Sequence, residues 1–575
     1  MKSFVLVLVS LFAFAGMAIG QVADAVYVNG KIYTVNEMQP WAEAVAILDG
    51  KFIEVGKDED IEPHIGDQTK VFKLDGAFAM PGFTDAHLHP VLAYVQAEAG
   101  NLLMDATTED EVKERLLTFS KENPEKKWIR AEKFRFGAFP GGKTNRQWLD
   151  AIIPDTPVYL VDESGHNAVV NSKALELASI TKDTPQPDGG VIEKDPTTGE
   201  PTGYLSETGM SLVGQKLPRI GQEATVRAIE KAFVEFRALG ITSFVDMYAY
   251  RGSLKAYREI ENAGRMTFRI SAAIALNDFT DEFDTIDGAA KAFDQAASFN
   301  TDLVKVDSFK YWVDGTPLSH TALLLDNYAD RPDKGNHTLT QKQLDRVREL
   351  LDEGKIGRFH SIGDGTTRML LDMVEASRKA NPGNKQPVHI GHCMLIHEDD
   401  LSRFKELNVV AEFSPALWFP LPVNDLLPKY VGSERASDAM PIAAMQSAEA
   451  TVVIGSDWPA GTPTADPFRG LEGLVTRRDP WGEYPGKIGE PVTLKDAIAM
   501  MTLNGTKAMK MSDKLGSIEA GKHADMIVID QNLFNLETAG RLDRISKTNV
   551  LKTIFAGEVV YDAMKHPKPK TRKPH

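Results

Sequence analysis

The chain has 575 residues and a mass of 63.3 kDa, with 42% hydrophobic and 25% charged residues. That composition excludes collagen-like, low-complexity and wholly disordered classes, and a net charge of −16 argues against a nucleic-acid binder, which needs a basic face. The single cysteine, Cys393, excludes an internal disulfide, Cys-based zinc fingers and iron–sulfur clusters, so a protein-held metal would have to use His, Asp, Glu or a modified Lys, and 13 histidines leave that open.

Met1-Lys2-Ser3 precede an apolar run from Phe4 to Ile19, closed by the small residues Ala18 and Gly20. One basic residue, a short apolar core and a small-residue exit predict a signal peptide over 1–20; a membrane anchor needs about 20 apolar residues. The mature chain is then expected in the periplasm or outside the cell, with no stable membrane span. Export with almost no cysteine fits a bacterial setting better than a disulfide-stapled secreted domain.

Residues 25–35 alternate Val, Tyr and Ile around Asn29-Gly30, a hairpin signal, and residues 42–55 repeat the theme around Asp49-Gly50. Lys70–Leu74 adds another short strand. Far away, 525–530 and 549–561 read as strands, with Gly557-Glu558 as the turn between the last two. A β domain built from both chain ends, 21–80 with 515–563, follows.

Between them, short apolar strands alternate with helical stretches, as in a parallel sheet with crossover helices. Eight candidates stand out: 79–85, 158–161, 242–246, 305–312, 358–360, 388–392, 409–413 and 452–456. Eight βα units suggest a barrel over 81–514. The stretch from His89 to Thr242 is too long for ordinary βα units, so about 93–235 is expected as an insertion forming a lid or substrate wall. The segment 564–575, with Lys and Arg among prolines, is expected as a disordered basic tail.

The chemistry concentrates at Met80–Pro90, where His87 and His89 follow a short apolar strand. A spacing of two puts both imidazoles on one face of a strand, and at the end of a barrel strand that face points to the axis. Neutral imidazole is the commonest nitrogen ligand for zinc and similar ions.

The run Pro81-Gly82-Phe83-Thr84-Asp85-Ala86-His87-Leu88-His89 resembles the amidohydrolase superfamily, and more closely its YtcJ-like (amidohydrolase 3) branch. Further matching residues are spread over the mature chain. They are Gly165-His166 with Asn171–Leu175, Gly203–Glu207, Gly240–Ser243, Lys310–Gly315, His360–Asp364, Gly455–Pro459 and Gly516–Asp525.

This resemblance implies an α/β fold: a distorted (β/α)8 TIM barrel with a β-sandwich from both chain ends and a long insertion after barrel strand one. It also implies one or two divalent ions, zinc foremost. His87 and His89 from strand one, His360 from strand five, His392 from strand six and Asp457 from strand eight would hold them. Lys310, after strand four, matches a position often carbamylated, which would turn a cation that repels metal into a bridging anion. The branch usually carries an acidic residue just before the strand-six His. Gly391 stands there instead, and His389 and His397 lie nearby.

A divalent ion lowers the pKa of bound water toward about 7 and polarises a carbonyl. Asp457 would take the water proton and return it to the leaving nitrogen. His166 would touch substrate or stabilise developing charge; Trp312, Asp314 and Trp418 are candidates for the substrate wall, and Arg477 and Arg478 for a substrate carboxylate. The expected function is an exported metal-dependent hydrolase of non-peptide or cyclic amides, acting on a small molecule, with a homodimer considered and no nucleic-acid partner. The same metal chemistry on esters, lactones or phosphoesters, or a non-catalytic binding protein on this fold, are the alternatives.

Overall fold

The computed structural model describes residues 21–566 apart from 93–100, 104–105, 141–142, 163, 277–285, 415–421, 461, 463 and 483–488. The expected signal peptide, Trp418 and the tail from 567 onward lie outside the described residues. Among those residues no helix is long and apolar enough to cross a membrane.

Eight parallel strands form the central sheet: β1 (Phe83–Leu88), β2 (Ile241–Ala249), β3 (Arg269–Ala275), β4 (Val304–Trp312), β5 (Ile356–Ser361), β6 (Val388–His392), β7 (Val409–Phe413) and β8 (Thr451–Ile454). They pair in chain order. Most are buried on both faces, as parallel strands flanked by helices must be. The helix Gln222–Ala238 shows how the outer ring packs: Val226, Ile229, Phe233 and Phe236 form one apolar stripe facing the sheet.

No strand ladder joins β8 to β1. The barrel is closed there by single hydrogen bonds past the strand ends: Asp457 N–H to the His87 carbonyl (2.7 Å) and His89 N–H to the Trp458 carbonyl (2.8 Å). Gly455 allows the approach, since a Cβ there would stand 2.3 Å from both the Cβ and the backbone nitrogen of His87.

One strand reading needs correcting. Val158–Asp162 belongs to the inserted sheet, and the third barrel strand is Arg269–Ala275. Its Arg269 and Ser271 interrupt the apolar pattern, but inside the fold Arg269 Nε donates to Asp525 and Ser271 Oγ to Asp307. The run 79–85 also divides: Phe78–Pro81 joins the β-sandwich and β1 starts after Gly82, where a Cβ would meet Thr242 at 2.3 Å.

The chain ends build two sheets, one of four strands from residues 25–73 and one of six that adds Met526–Ile529, Val550–Phe555 and Glu558–Asp562. Tyr27, Val45 and Phe52 of the first pack with Ile32, Met526 and Ile554 of the second. The Asp49-Gly50 turn joins paired strands. Asn29-Gly30 makes no hairpin: Ala25–Val28 lies in the four-stranded sheet and Lys31–Tyr33 in the other. A left-handed Asn29 (φ 56°) serves a sheet-to-sheet crossing as well as a tight turn. The last turn centres on Ala556-Gly557 rather than Gly557-Glu558.

The insertion carries its own mixed six-stranded sheet, which runs from Asn101–Leu102 to Pro201–Glu207, and its own apolar cores. It is seated on the loop after β4: a Cβ on Gly189 would lie 2.0 Å from the Thr338 carbonyl, and Thr321 Oγ1 donates to Glu207 Oε1 at 2.9 Å.

Candidate metal centre

In a parallel barrel the strand C-termini converge on one mouth, and side chains there face one another without any helix between them. Six strands deliver polar residues to this mouth. They are His87 and, just past the strand end, His89 from β1; Lys310 from β4; His360 from β5; His392 from β6; Glu412 from β7; and Asp457 just beyond β8. All are buried, between 0% and 6% exposed.

Asp457 sits at the middle. Its Oδ1 lies 3.1 Å from His89 Nε2 and 3.3 Å from His87 Nε2, and its Oδ2 lies 3.9 Å from His392 Nδ1. The His392 ring is 4.9 Å from His87 and 4.5 Å from His360, centroid to centroid. Asp457 and His392 both adopt left-handed φ, 56° and 71°. Non-glycine residues pay for that conformation only where the surroundings enforce it, and such residues gather at functional sites.

Burial holds the imidazoles of His87, His360 and His392 well below the usual histidine range, and neighbouring cationic groups push the same way. They are therefore neutral and present lone pairs. Burial alone would raise Asp457, but His87, His89 and Lys310 outweigh it, and its carboxyl stays below the ordinary value and ionised. Burial pulls Lys310 down to about 8, against the opposing pull of Glu412 and Asp457.

Each of three histidines leans on a buried carboxylate through Nδ1. His87 pairs with Glu412, His360 with Asp314 at 3.1 Å, and His166 with Glu207 at 3.0 Å. His166 arrives from the insertion, and its ring stands 4.9 Å from that of His360. Burial would lower His166, but Glu207 overrides it and raises this imidazole above its usual value.

Other expected residues fall differently. Asp314 is not on the substrate wall: it is fully buried and accepts bonds from His360, the Ile362 and Gly363 amides and Thr366 Oγ1, all within 3.2 Å. Its role is to hold His360 and the turn after β5. Trp312 is 9% exposed and packs edge-on to Tyr248, whose ring neighbours His89. Arg477 is buried, with a guanidinium bond to the Met440 carbonyl, while Arg478 is exposed. Of the histidines near His392, His389 faces Arg358 at 3.2 Å and His397 caps a surface turn. Cys393 is a buried core residue whose thiol donates to the Ile390 carbonyl.

The donor set fits a divalent ion. An ion bonded at about 2.0–2.1 Å with tetrahedral angles needs donors about 3.3 Å apart. The His87–Asp457 and His89–Asp457 separations of 3.3 and 3.1 Å match that, and ligand atoms of His87, His392 and Asp457 all lie within 4.8 Å of one another. Two or three imidazoles and one carboxylate, without sulfur, are zinc-type ligands.

Sequence reasoning passed over Glu412 and left Glu207 without a role. Glu412 interrupts the apolar run Val-Val-Ala-Glu-Phe, and an acidic residue in a buried barrel strand is itself a signal, because burying a charge is costly unless it is paired.

The amidohydrolase family model matches residues 70–561. The chain is 26% identical to YtcJ of Bacillus subtilis (strain 168), which carries an amidohydrolase name, over 94% of this chain and 99% of that one. It is 25% identical to N-substituted formamide deformylase of Arthrobacter pascens, with the same coverage. Among solved structures, a metal-dependent hydrolase from Pyrococcus horikoshii OT3 superposes with a TM-score of 0.67 at 24% identity, covering 88% of this chain and 97% of that one, a likeness of fold. A match over most of its length makes this chain a member of the amidohydrolase family.

Proposed function

We propose that the protein is an exported, metal-dependent hydrolase that cleaves carbon–nitrogen bonds of non-peptide amides or cyclic amides. The observation that carries this reading is Asp457, an ionised carboxylate within 3.1–3.3 Å of two imidazoles held by one short motif. A divalent ion in this pocket, zinc by its donor set, supplies an activated water and a Lewis acid for the scissile carbonyl.

The chain's own groups supply the rest. His87, His89, His392 and Asp457 hold the ion, with His360 and Lys310 beside them. Asp457 accepts the proton of the attacking water and passes it to the leaving nitrogen as the carbon–nitrogen bond breaks. His166, whose imidazole Glu207 shifts toward the protonated form against the effect of burial, donates a hydrogen bond to the oxygen on which negative charge develops. Carbamylation of Lys310 belongs to this reading, since burial leaves part of its amine neutral and able to react with carbon dioxide. The formamide deformylase relative supports an amide substrate class, and the leader over 1–20 supports the periplasm or the exterior as the place of action.

The test is a substrate panel run on zinc-loaded, purified protein, with formamides, N-acyl amines, hydantoins, lactones and phosphoesters compared by kcat/KM. Amides or cyclic amides should dominate. A panel led by lactones or phosphoesters would overturn the proposed bond specificity, and protein that takes up no zinc would overturn the metal chemistry.

A further inference from the structure

Behind the metal centre lies a second layer of buried charge that ligand chemistry alone does not require. Glu412, on β7, is 0% exposed. Its Oε1 meets His87 Nδ1, and its Oε2 lies 3.8 Å from His389 Nδ1 with no hydrogen-bond partner. His389 in turn faces Arg358, whose guanidinium is fixed by Ser308 Oγ and by the Ala508 carbonyl. Ser308, Arg358, His389 and Glu412 sit on β4, β5, β6 and β7, with Arg358 and His389 two and three residues before the ligands His360 and His392.

Burying a carboxylate is costly unless ion pairs and hydrogen bonds offset the lost hydration. A neutral imidazole carries its proton on one nitrogen only, and the partner of one nitrogen decides which. A carboxylate accepts and cannot donate, so a Glu412 facing Nδ1 puts the proton there. That leaves the lone pair on His87 Nε2, the nitrogen 3.3 Å from Asp457. Amide or hydroxyl partners would not discriminate, because each can donate as well as accept.

We propose that Glu412 is a positioning residue for metal binding. It locks His87 in the tautomer and ring orientation that ligate, with the Arg358–His389 pair packed behind it. The inference rests on the metal-binding reading above, but not on the identity of the substrate. It separates Glu412 from Asp314 and Glu207, which serve His360 and His166 and leave the His87–Asp457 pair untouched.

The experiment measures zinc affinity by chelator competition on the wild type, Glu412→Gln, Glu412→Ala and Glu472→Gln, with cobalt(II) absorption as a second signal. Glu472 is the control: it is a 5% exposed carboxylate that accepts from the Ser546 amide, far from the ligands in its contacts. Loss of an orienting partner typically weakens a metal site about 10- to 100-fold. The expected result is about tenfold for Glu412→Gln, whose amide can donate to Nδ1 and favour the wrong tautomer, and more for Glu412→Ala, with a changed cobalt spectrum. Glu472→Gln should keep wild-type affinity even if it melts earlier. Either folded Glu412 variant binding zinc within twofold of wild type would overturn the proposal. A wild-type protein that binds no zinc would instead overturn the metal reading on which it stands.

Discussion

The backbone N–H of Asp457 donates to the His87 carbonyl at 2.7 Å while the Asp457 carboxylate stands 3.3 Å from the same residue's Nε2. Barrel closure and metal-site assembly are therefore one structural event. Asp85 reinforces it, since its Oδ1 accepts from both the Ser456 amide (2.9 Å) and the His87 amide (3.1 Å). Because the seam has no strand ladder, anything that separates β8 from β1 also separates the ligands.

Gly455→Ala tests this directly. The added Cβ would stand 2.3–2.7 Å from backbone and Cβ atoms of His87, none of which can swing away. Overpacking of this kind costs about 1–3 kcal/mol or more. The variant should melt earlier and bind zinc more weakly, both measurable by thermal melts with and without the ion. A variant with unchanged affinity would show that the seam and the site are independent.

Asp457→Asn should separate catalysis from metal binding. The amide keeps the side chain's shape and one acceptor oxygen, and His87, His89 and His392 remain as ligands, but the group can no longer take a proton. Turnover should fall by about 10²- to 10⁴-fold, while metal analysis still finds zinc in the protein. Full turnover in the variant would remove Asp457 as the base.

How much of this was legible in the sequence follows from chain distance. His87 and His89 are readable because strand period and motif lie within ten residues, and Asp457 because its own short motif ends the last barrel strand. Glu412, 325 residues from His87, and Glu207, 41 from His166, meet their partners only through the fold. The third barrel strand was hidden for a related reason. Arg269 looks like a surface residue until Asp525, 256 residues away, is seen to pair with it. Asp314 was placed on the substrate wall by proximity to Lys310, whereas the chain just past β4 turns it inward onto His360 Nδ1.

Glu207 should act on the reaction through His166, while its other oxygen, Oε1, helps to seat the insertion by accepting from Thr321 Oγ1. Its backbone sits at φ 50°, ψ −127°, outside the regions that side-chain-bearing residues favour, and a Cβ on Gly315 would come within 1.9 Å of its Oε1. Strain of about 1–3 kcal/mol persists only when the surroundings enforce it. Glu207→Ala should lower kcat by about tenfold or more, yet have no further effect in a His166→Ala background, because paired residues that act as a unit are non-additive. Zinc content should not change in any of the three variants. Additive losses in the double variant would assign Glu207 a separate role.

Metal removal should cost stability as well as activity. The ligands are buried and mutually close, so stripping the ion leaves an ionised Asp457 and several imidazoles without their partner. An ion present at a hundred times its Kd adds about 2.7 kcal/mol to the folded state. Dialysis against a chelator should abolish hydrolysis and lower the melting temperature, and added zinc should restore both. Loss of activity with an unchanged melt would mean that the pocket is preformed and indifferent to its ion.

At the opposite end of the barrel, Asp525 fastens the β-sandwich to the sheet. Its Oδ2 accepts from Arg269 Nε at 3.0 Å and its Oδ1 from the Ala556 amide at 2.7 Å, while the Arg269 guanidinium lies over the Phe555 ring at 4.8 Å. Both charged side chains are 6% exposed. Removing one member of a buried pair strands the other charge, at about 3–5 kcal/mol. Arg269 opens β3, at the end remote from the mouth where the ligands gather, so the loss should not reach the chemistry. Asp525→Ala should therefore melt well below the wild type while keeping kcat and zinc affinity at temperatures where it is folded. A fall in kcat without a fall in melting temperature would show that the sandwich steers the site instead of merely holding the barrel.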